Sequence, residues 1–335
     1  MKINAVSLVK NECDIIELFV RINLRFVDHL FIIDNDSSDR TVEIILKLQQ
    51  EGLPVTLWHD HSIDFQQNRI TTNAVRKIFS EYGVDWVIPL DADEFITENR
   101  VKLRSELLDI PLGYCGKLEW KTFVPLTGNY FEHENPLWQN FRQRVTETRQ
   151  FSKVIIPSAL GATTSLTKGN HHLYDERNQK IPQYKLSSTL AHVPVRSSEQ
   201  IISKSIIGSL KHQITYNRHP AEGFHKELMS EFVRKCGYSL DSNQLKEIVF
   251  TYSQKPDEKI IREIDNSARL GLENDCMVYR DISAINVLER FDHYMTALCE
   301  EIKSGNFQHK TISSLMKDVD SLKRSLHASV TSRIN

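Results

Sequence analysis

Apolar positions in the first hundred residues switch repeatedly between a strand-like run and a helix-like period. Residues 3 to 9 form a short apolar run, a predicted strand, that stops at Lys10-Asn11-Glu12-Cys13-Asp14. Ile15, Leu18, Phe19, Ile22 and Phe26 then recur at the spacing of one helix face, with Asp14 as the expected N-cap. His29-Leu30-Phe31-Ile32-Ile33 predicts a second strand. It runs into the polar turn Asp34 to Thr41, after which Val42, Ile45 and Leu46 continue as a helix capped by Asp39. Gly52 and Pro54 end that helix, Val55-Thr56-Leu57-Trp58 predicts a third strand, and residues 65 to 82 carry a third helical pattern through Ile70, Ala74, Ile78 and Phe79. A fourth apolar run, Trp86-Val87-Ile88-Pro89-Leu90, halts at Asp91-Ala92-Asp93-Glu94.

Strands alternating with helices at this spacing imply an α/β fold: a mostly parallel, Rossmann-like sheet with helices on both faces. Ligands of such sheets bind outside the carboxyl ends of the strands. Chain order alone puts three polar turns there: Asn11 and Glu12, Asp34 to Asp39, and Asp91 to Glu94. Burying acids at the edge of a core is costly unless something positive pairs with them, so Asp91 and Asp93 are expected to hold a divalent cation that carries a phosphorylated ligand. Neither G-x-G-x-x-G nor G-x-x-x-x-G-K-[ST] occurs in these turns, which argues against a glycine-rich phosphate loop.

Beyond Phe95 the signal weakens. Residues 117–124, 153–156 and 190–195 read as strands, separated by an aromatic-rich stretch at 125–150 with Tyr130, Phe131, Trp138 and Phe141. From Ser198 the pattern is helical. We therefore divide the chain into residues 1–210, with halves 1–98 and 99–210, and a helical C-terminal region, 211–335. In the latter, 225–236, 243–252 and 284–303 suit helices, while Ile312, Leu315, Val319, Leu322 and Leu326 step by three and four as in a coiled-coil seam. The segment 310–330 is thus expected to pack on its own domain or to pair with a second copy. Its Lys310, Lys317, Lys323 and Arg324 permit peripheral membrane contact, which Asp318 and Asp320 oppose.

Composition narrows the picture. With 42 Lys and Arg against 44 Asp and Glu in 335 residues, bulk charge gives no reason to expect a nucleic-acid partner. The five cysteines are never spaced C-x-x-C, so no disulfide framework or structural zinc site is expected, and a reducing cytoplasm fits best. The amino terminus is too short and polar for a signal peptide, and no window approaches a membrane-spanning length of apolar residues.

Val9-Lys10-Asn11-Glu12, Ile33-Asp34-Asn35-Asp36-Ser37-Ser38-Asp39-Arg40-Thr41 and Asp91-Ala92-Asp93-Glu94-Phe95 resemble, in order and spacing, the signatures of GT-A-fold glycosyltransferases related to family 2. The branch most resembled carries D-A-D-E-F and, later, a histidine strand, R-S-x-E and a K-x-x-x-G helix. Here these are His192, Arg196-Ser197-Ser198-Glu199, Lys204 and Gly208. The resemblance covers about residues 1–210. It implies a metal-dependent, inverting transfer from a nucleotide-sugar donor, UDP-linked or alternatively GDP-linked, to a glycan or glycolipid hydroxyl. It places Asp34 near the base, Val9, Asn11, Glu12, Asp36 and Ala92 among donor-binding positions, Lys204 toward the diphosphate, and Asp91, Asp93 and His192 around Mn²⁺ or Mg²⁺.

The general base departs from the pattern of relatives, because no Glu-Asp pair occurs in residues 100–200. Glu132-His133-Glu134 and Asp175-Glu176 are the nearest carboxylate clusters; Glu134 is the first candidate and His171 another, with Asp93 as the central catalytic carboxylate. Each has a plainer alternative: Asp91 and Asp93 as a solvated turn, His192 and His171 as hydrogen-bonded core histidines, Trp120, Trp138 and Tyr130 as core aromatics rather than a sugar platform. At the level of function, the alternatives are a non-catalytic nucleotide-sugar or glycan-binding scaffold and a Mg²⁺-dependent phosphohydrolase.

Overall fold

The computed structural model describes residues 1–62, 66–97, 99–125, 141–147, 150–214, 224–253, 262–268, 277–279, 287–303 and 324. Glu134, the aromatics Tyr130, Phe131 and Trp138, and nearly all of the 310–330 segment lie outside the described residues.

The first half alternates as the pattern predicts: β1 (Ile3–Val9), α1 (Ile16–Asn23), β2 (His29–Asp34), α2 (Thr41–Gln50), β3 (Val55–His59), α3 (Gln67–Tyr82) and β4 (Trp86–Pro89). These four strands lie parallel in the order β3-β2-β1-β4. Successive strand residues point to opposite faces. Ala5, Leu30, Ile32 and Ile88 accordingly pack with α1 and α2, whereas Val6, Phe31, Ile33 and Val87 pack with α3. Burial on both faces is why these strands read as unbroken apolar runs.

The sheet continues through β5 (Glu94–Ile96), β6 (Cys115–Val124), β7 (Gln143–Val145), β8 (Ser152–Pro157), β11 (Gln183–His192) and β12 (Ile264–Asp265), while β9 (Ser165–Leu166) pairs with β10 (Leu173–Tyr174) apart from it. Beyond β4 the pairing turns mixed: β8 is antiparallel to β4 and β6, and β11 runs parallel to β6 but antiparallel to β5. The β5–β11 pairing sets His192 opposite Glu94, which joins the late histidine strand to the D-A-D-E-F turn.

Helix α4 (Arg100–Leu108), absent from the periodicity, starts at Asn99, whose side chain accepts the Lys102 N–H at 2.8 Å. Among the described residues four longer helices follow: α5 (Ser198–Ile214), α6 (Phe224–Lys235), α7 (Ser242–Ser253) and α8 (Val287–Lys303). Their apolar faces form one cluster in which Ile201, Ile206 and Leu210 meet Met229, Val233, Ile248, Val249, Phe291 and Leu298. Among the described residues no helix is long and apolar enough to cross a membrane.

Two local expectations need correction. Asp14 does not cap α1, because its carboxylate is taken by the buried guanidinium of Arg196. The strand expected at 190–195 begins earlier, at Gln183, and ends at His192. Its first half is largely polar because alternate positions there are exposed, and this hid the strand.

Candidate active site

The ends of β1 and β2 are laced together. Asn35 donates its N–H to Val9 O (2.9 Å), Asn11 N–H donates to Ser37 Oγ (2.9 Å), and Ser38 N–H donates to Asn11 Oδ1 (2.8 Å). Asn11 and Asp36 sit at φ +58° and +60°, a left-handed conformation that Asn and Asp tolerate better than most side chains. Asp34 is buried and accepts the Ser37 N–H at Oδ2 (3.0 Å), while its Oδ1 finds no hydrogen-bond partner among the described residues. Asp36 instead faces outward beside His61. Asp39 is not the N-cap of α2, which is Arg40; it sits one residue earlier, accepts the Thr41 N–H, and is paired with Arg290 of α8.

Beside these turns a cavity of about 530 Å³ opens, lined by Val9, Asn11, Glu12, Asp91, Ala92 and Asp93 on the parallel-sheet side. Its lining also includes Trp120, His171, His192, Lys204, Lys211 and Tyr252. The site residues expected from sequence are thus largely brought together. Asn35, rather than Asp34, lines the cavity.

Asp93 is the electrostatic centre. Its carboxylate, almost wholly buried, receives Lys204 Nζ at 2.8 Å, with Arg196 Nη1 at 3.9 Å and His192 Nε2 at 4.0 Å. Burial works to raise its pKa, but Lys204, His192 and Arg196 outweigh that and hold it below the usual carboxylate range. Asp91 is differently placed: Lys153 donates to its Oδ2 at 2.6 Å and Gln67 to its Oδ1 at 3.0 Å. Lys153 also donates to Gly169 O (2.8 Å) and lies 3.3 Å from Glu94 Oε1. Glu94 is pushed well above its ordinary value, first by burial and then by Asp91 and Asp93, against the opposing pull of Lys153.

Two imidazoles flank Trp120. His192 stacks on the indole at 4.2 Å between centroids, and His171 meets it edge-on at 5.4 Å. Burial, reinforced by nearby lysines, lowers both to about 4, so both are neutral near pH 7. His171 Nδ1 is 2.7 Å from Ser152 O, which makes Nδ1 the protonated nitrogen and leaves Nε2 an acceptor.

Two donors each about 2.1 Å from one ion can be at most about 4.2 Å apart. Asp93 Oδ1 and His192 Nε2, at 4.0 Å, satisfy that limit, and a neutral imidazole is the form that ligates. The pair is therefore close enough to share one divalent cation. Asp91 is engaged by Lys153, and among the described residues no three His, Cys, Asp or Glu side chains cluster as a preformed ion site.

The roles of several residues at this site were missed from sequence, Arg196 among them although its motif was noted. Lys153 was seen only as a strand residue, although a lone lysine in an apolar run must find a partner. Arg196 bonds Asp14 at 2.6 Å and Glu12 at 2.5 Å with no solvent exposure. Lys211, seven positions beyond Lys204 on α5, reaches Asn35 Oδ1 at 2.9 Å. Met229, Tyr252 and Arg290, from α6, α7 and α8, also line the cavity.

The parallel half-sheet with carboxylate-bearing turns at its carboxyl edge is the arrangement of a GT-A fold. Residues 6–153 match the family model described as glycosyl transferase family 2, and that stretch is a family 2 domain. No curated protein matches. Among solved structures, the chain is similar to S. aureus TarS (TM-score 0.33, 12% identity, 69% of this chain and 43% of that chain). It is similar also to S. aureus TarS 1-349 in complex with UDP (TM-score 0.34, 14% identity, 69% and 70%). A third likeness is to glucosyl-3-phosphoglycerate synthase from Mycobacterium tuberculosis in complex with Mn²⁺, UDP and phosphoglyceric acid (TM-score 0.24, 17% identity, 37% and 43%). The chain spans less than half the length of the first of these, and the likenesses are distant.

Proposed function

We propose that this glycosyltransferase uses a nucleoside-diphosphate sugar, UDP-linked in the first instance and GDP-linked as the alternative, and transfers the sugar with inversion to a hydroxyl of a glycan or glycolipid. The observation that carries this reading is the placement of Asp93. It is a buried carboxylate at the edge of the cavity, bracketed by Lys204, His192 and Arg196, where the turns after β1 and β4 meet.

In the proposed reaction the acceptor oxygen forms a bond to the anomeric carbon as the bond to the diphosphate oxygen breaks. The electron pair leaves on the nucleoside diphosphate, and the acceptor proton passes to a base. Asp93 and His192 would hold Mn²⁺ or Mg²⁺, with Asp91 as a third ligand if Lys153 yields it. When bound, the cation neutralises charge growing on the leaving diphosphate. Lys204 and Lys211 supply positive charge along the same helix, and Asn11, Glu12 and Asn35 face the nucleoside side. His171 Nε2, an unprotonated acceptor, is the proposed base among the described residues. Tyr252 and Met229 extend the acceptor side with residues from the helical region.

The test is release of nucleoside diphosphate from UDP- and GDP-sugars with Mn²⁺ present. Turnover should disappear in Asp93→Ala. A folded protein that binds none of these donors would overturn the reading.

A further inference from the structure

The two aspartates of the Asp91-Ala92-Asp93 turn are each neutralised by a lysine, but the two lysines are held in unlike ways. Lys153 has no solvent exposure and is fixed by Asp91, Gly169 O and Glu94 together. Lys204 comes from a cavity-facing position on α5, its side chain is 37% exposed, and its ammonium is bonded to Asp93 Oδ2. One lysine is part of the core, and the other reaches Asp93 from the lining of the cavity and is held there by that one carboxylate. Asp93 itself is 5% exposed, so its charge requires a positive neighbour at all times.

A divalent cation on Asp93 and His192 would bring two further positive charges against the Lys204 ammonium. Both cannot share one buried carboxylate cheaply, and Lys204, once displaced, needs another anion within reach. A diphosphate supplies one. We propose that Lys204 is an exchangeable counter-ion of Asp93, which passes to the diphosphate of the donor as a divalent cation takes its place, so that cation and nucleoside diphosphate bind cooperatively. The proposal rests on the donor reading above. It makes Lys204 a positioning residue that competes with the cation in the absence of nucleotide and assists it in the presence of nucleotide. By linkage the coupling is reciprocal, so each ligand raises the affinity for the other by one factor.

The experiment is calorimetric titration of the full chain with Mn²⁺ alone, and again with UDP or GDP present, a readout independent of turnover. Lys204→Met should bind Mn²⁺ alone about tenfold more tightly than the wild type, the scale of a typical coupling. Lys204→Gln, which keeps a hydrogen-bond donor without the charge, should show the same tightening and covers the case in which the methionine variant does not fold. In both, the factor by which nucleotide raises Mn²⁺ affinity should shrink. Lys211→Met removes a cation from the same helix that bonds Asn35 rather than Asp93, and should change Mn²⁺ affinity by less than about twofold, below the range of typical couplings. Unaltered or weaker Mn²⁺ binding in the Lys204 variants, or equal tightening in Lys211→Met, overturns the exchange while leaving the donor reading intact. Failure of the wild type to bind UDP or GDP with Mn²⁺ overturns that reading and this proposal with it.

Discussion

Lys153 Nζ lies 2.6 Å from Asp91 Oδ2 and 3.3 Å from Glu94 Oε1, in a position closed to solvent. Burial alone would lower the lysine pKa, yet Asp91 and Glu94 hold it above its ordinary value, and the ammonium stays charged. Glu94, pushed well up first by burial, is the member of the trio that protonates most readily. Removing the lysine takes the cation from buried Glu94 and from Asp91, whose side chain is 31% exposed. Lys153→Met should cost about 3–5 kcal/mol, the usual penalty for breaking a buried pair on one side. Glu94→Gln keeps an acceptor for the Asp91 N–H and mimics the protonated acid that burial favours, so it should cost less than about 1 kcal/mol. Urea unfolding of the two variants decides the matter, and equal losses would show that Glu94 is ionised in the folded protein.

The acid limb of stability should depend on Asp28. Burial raises its pKa, but the Ile3 N–H at 2.8 Å, the Arg104 guanidinium and Arg100 together bring it below the usual value. A carboxylate depressed in the folded state stabilises the fold above its unfolded pKa of about 3.9 and loses that contribution as pH falls through the folded value. Wild type should therefore be more stable than Asp28→Asn at pH 7, with the gap closing below about pH 4. Unfolding midpoints at pH 7, 4 and 3 test this. A gap that stays constant across the series would refute it.

What could be seen in the chain beforehand follows from how each part is buried. The strands β1, β2 and β4 are covered on both faces, so nearly every residue had to be apolar and the runs stood out. Helix α4 buries Leu103 and Leu107 while Val101 and Leu108 are exposed, which leaves little periodicity to detect. The carboxylate turns were legible because chain order alone puts them at one sheet edge. Their partners were not, because Lys153 is 62 positions from Asp91 and Arg196 is 182 from Asp14, and no local pattern links such pairs. The missing cap on α1 has the same origin, since Asp14 was spent on a residue that only the folded chain brings near.

Arg196 is the next residue to test. It bonds Glu12 and Asp14 with one buried guanidinium, and its Nη1 faces Asp93 at 3.9 Å. The planar fork is what serves two carboxylates at once, and lysine does not reproduce it. Arg196→Lys should lose stability by about 2 kcal/mol or more, and Arg196→Met by about 3–5 kcal/mol, since the latter leaves two carboxylates without their partner. Guanidinium unfolding gives both numbers. A lysine variant as stable as wild type would show that the fork geometry is immaterial here.

Gly169 and His171 form the last pair. Gly169 has φ +72°, and a Cβ built on it would fall 2.5 Å from His171 Nε2. Alanine there is strained by its backbone and must also push the imidazole aside, which disturbs the bond from Nδ1 to Ser152 O. With His171 as the acceptor-side base, His171→Gln should lower transfer by about 10²–10⁴-fold, the usual contribution of a positioned base. Gly169→Ala should lower it in the same direction without losing nucleotide binding. The imidazole is held at about 4 by burial and by Lys153, so the acid limb of the wild-type rate should fall near pH 4 rather than near 6.5. The expected sign is loss of rate as pH drops, because protonation removes the accepting lone pair. Rates of His171→Gln and Glu134→Gln measured side by side assign the base: a large loss in the glutamate variant with a near-normal histidine variant would transfer the role to Glu134.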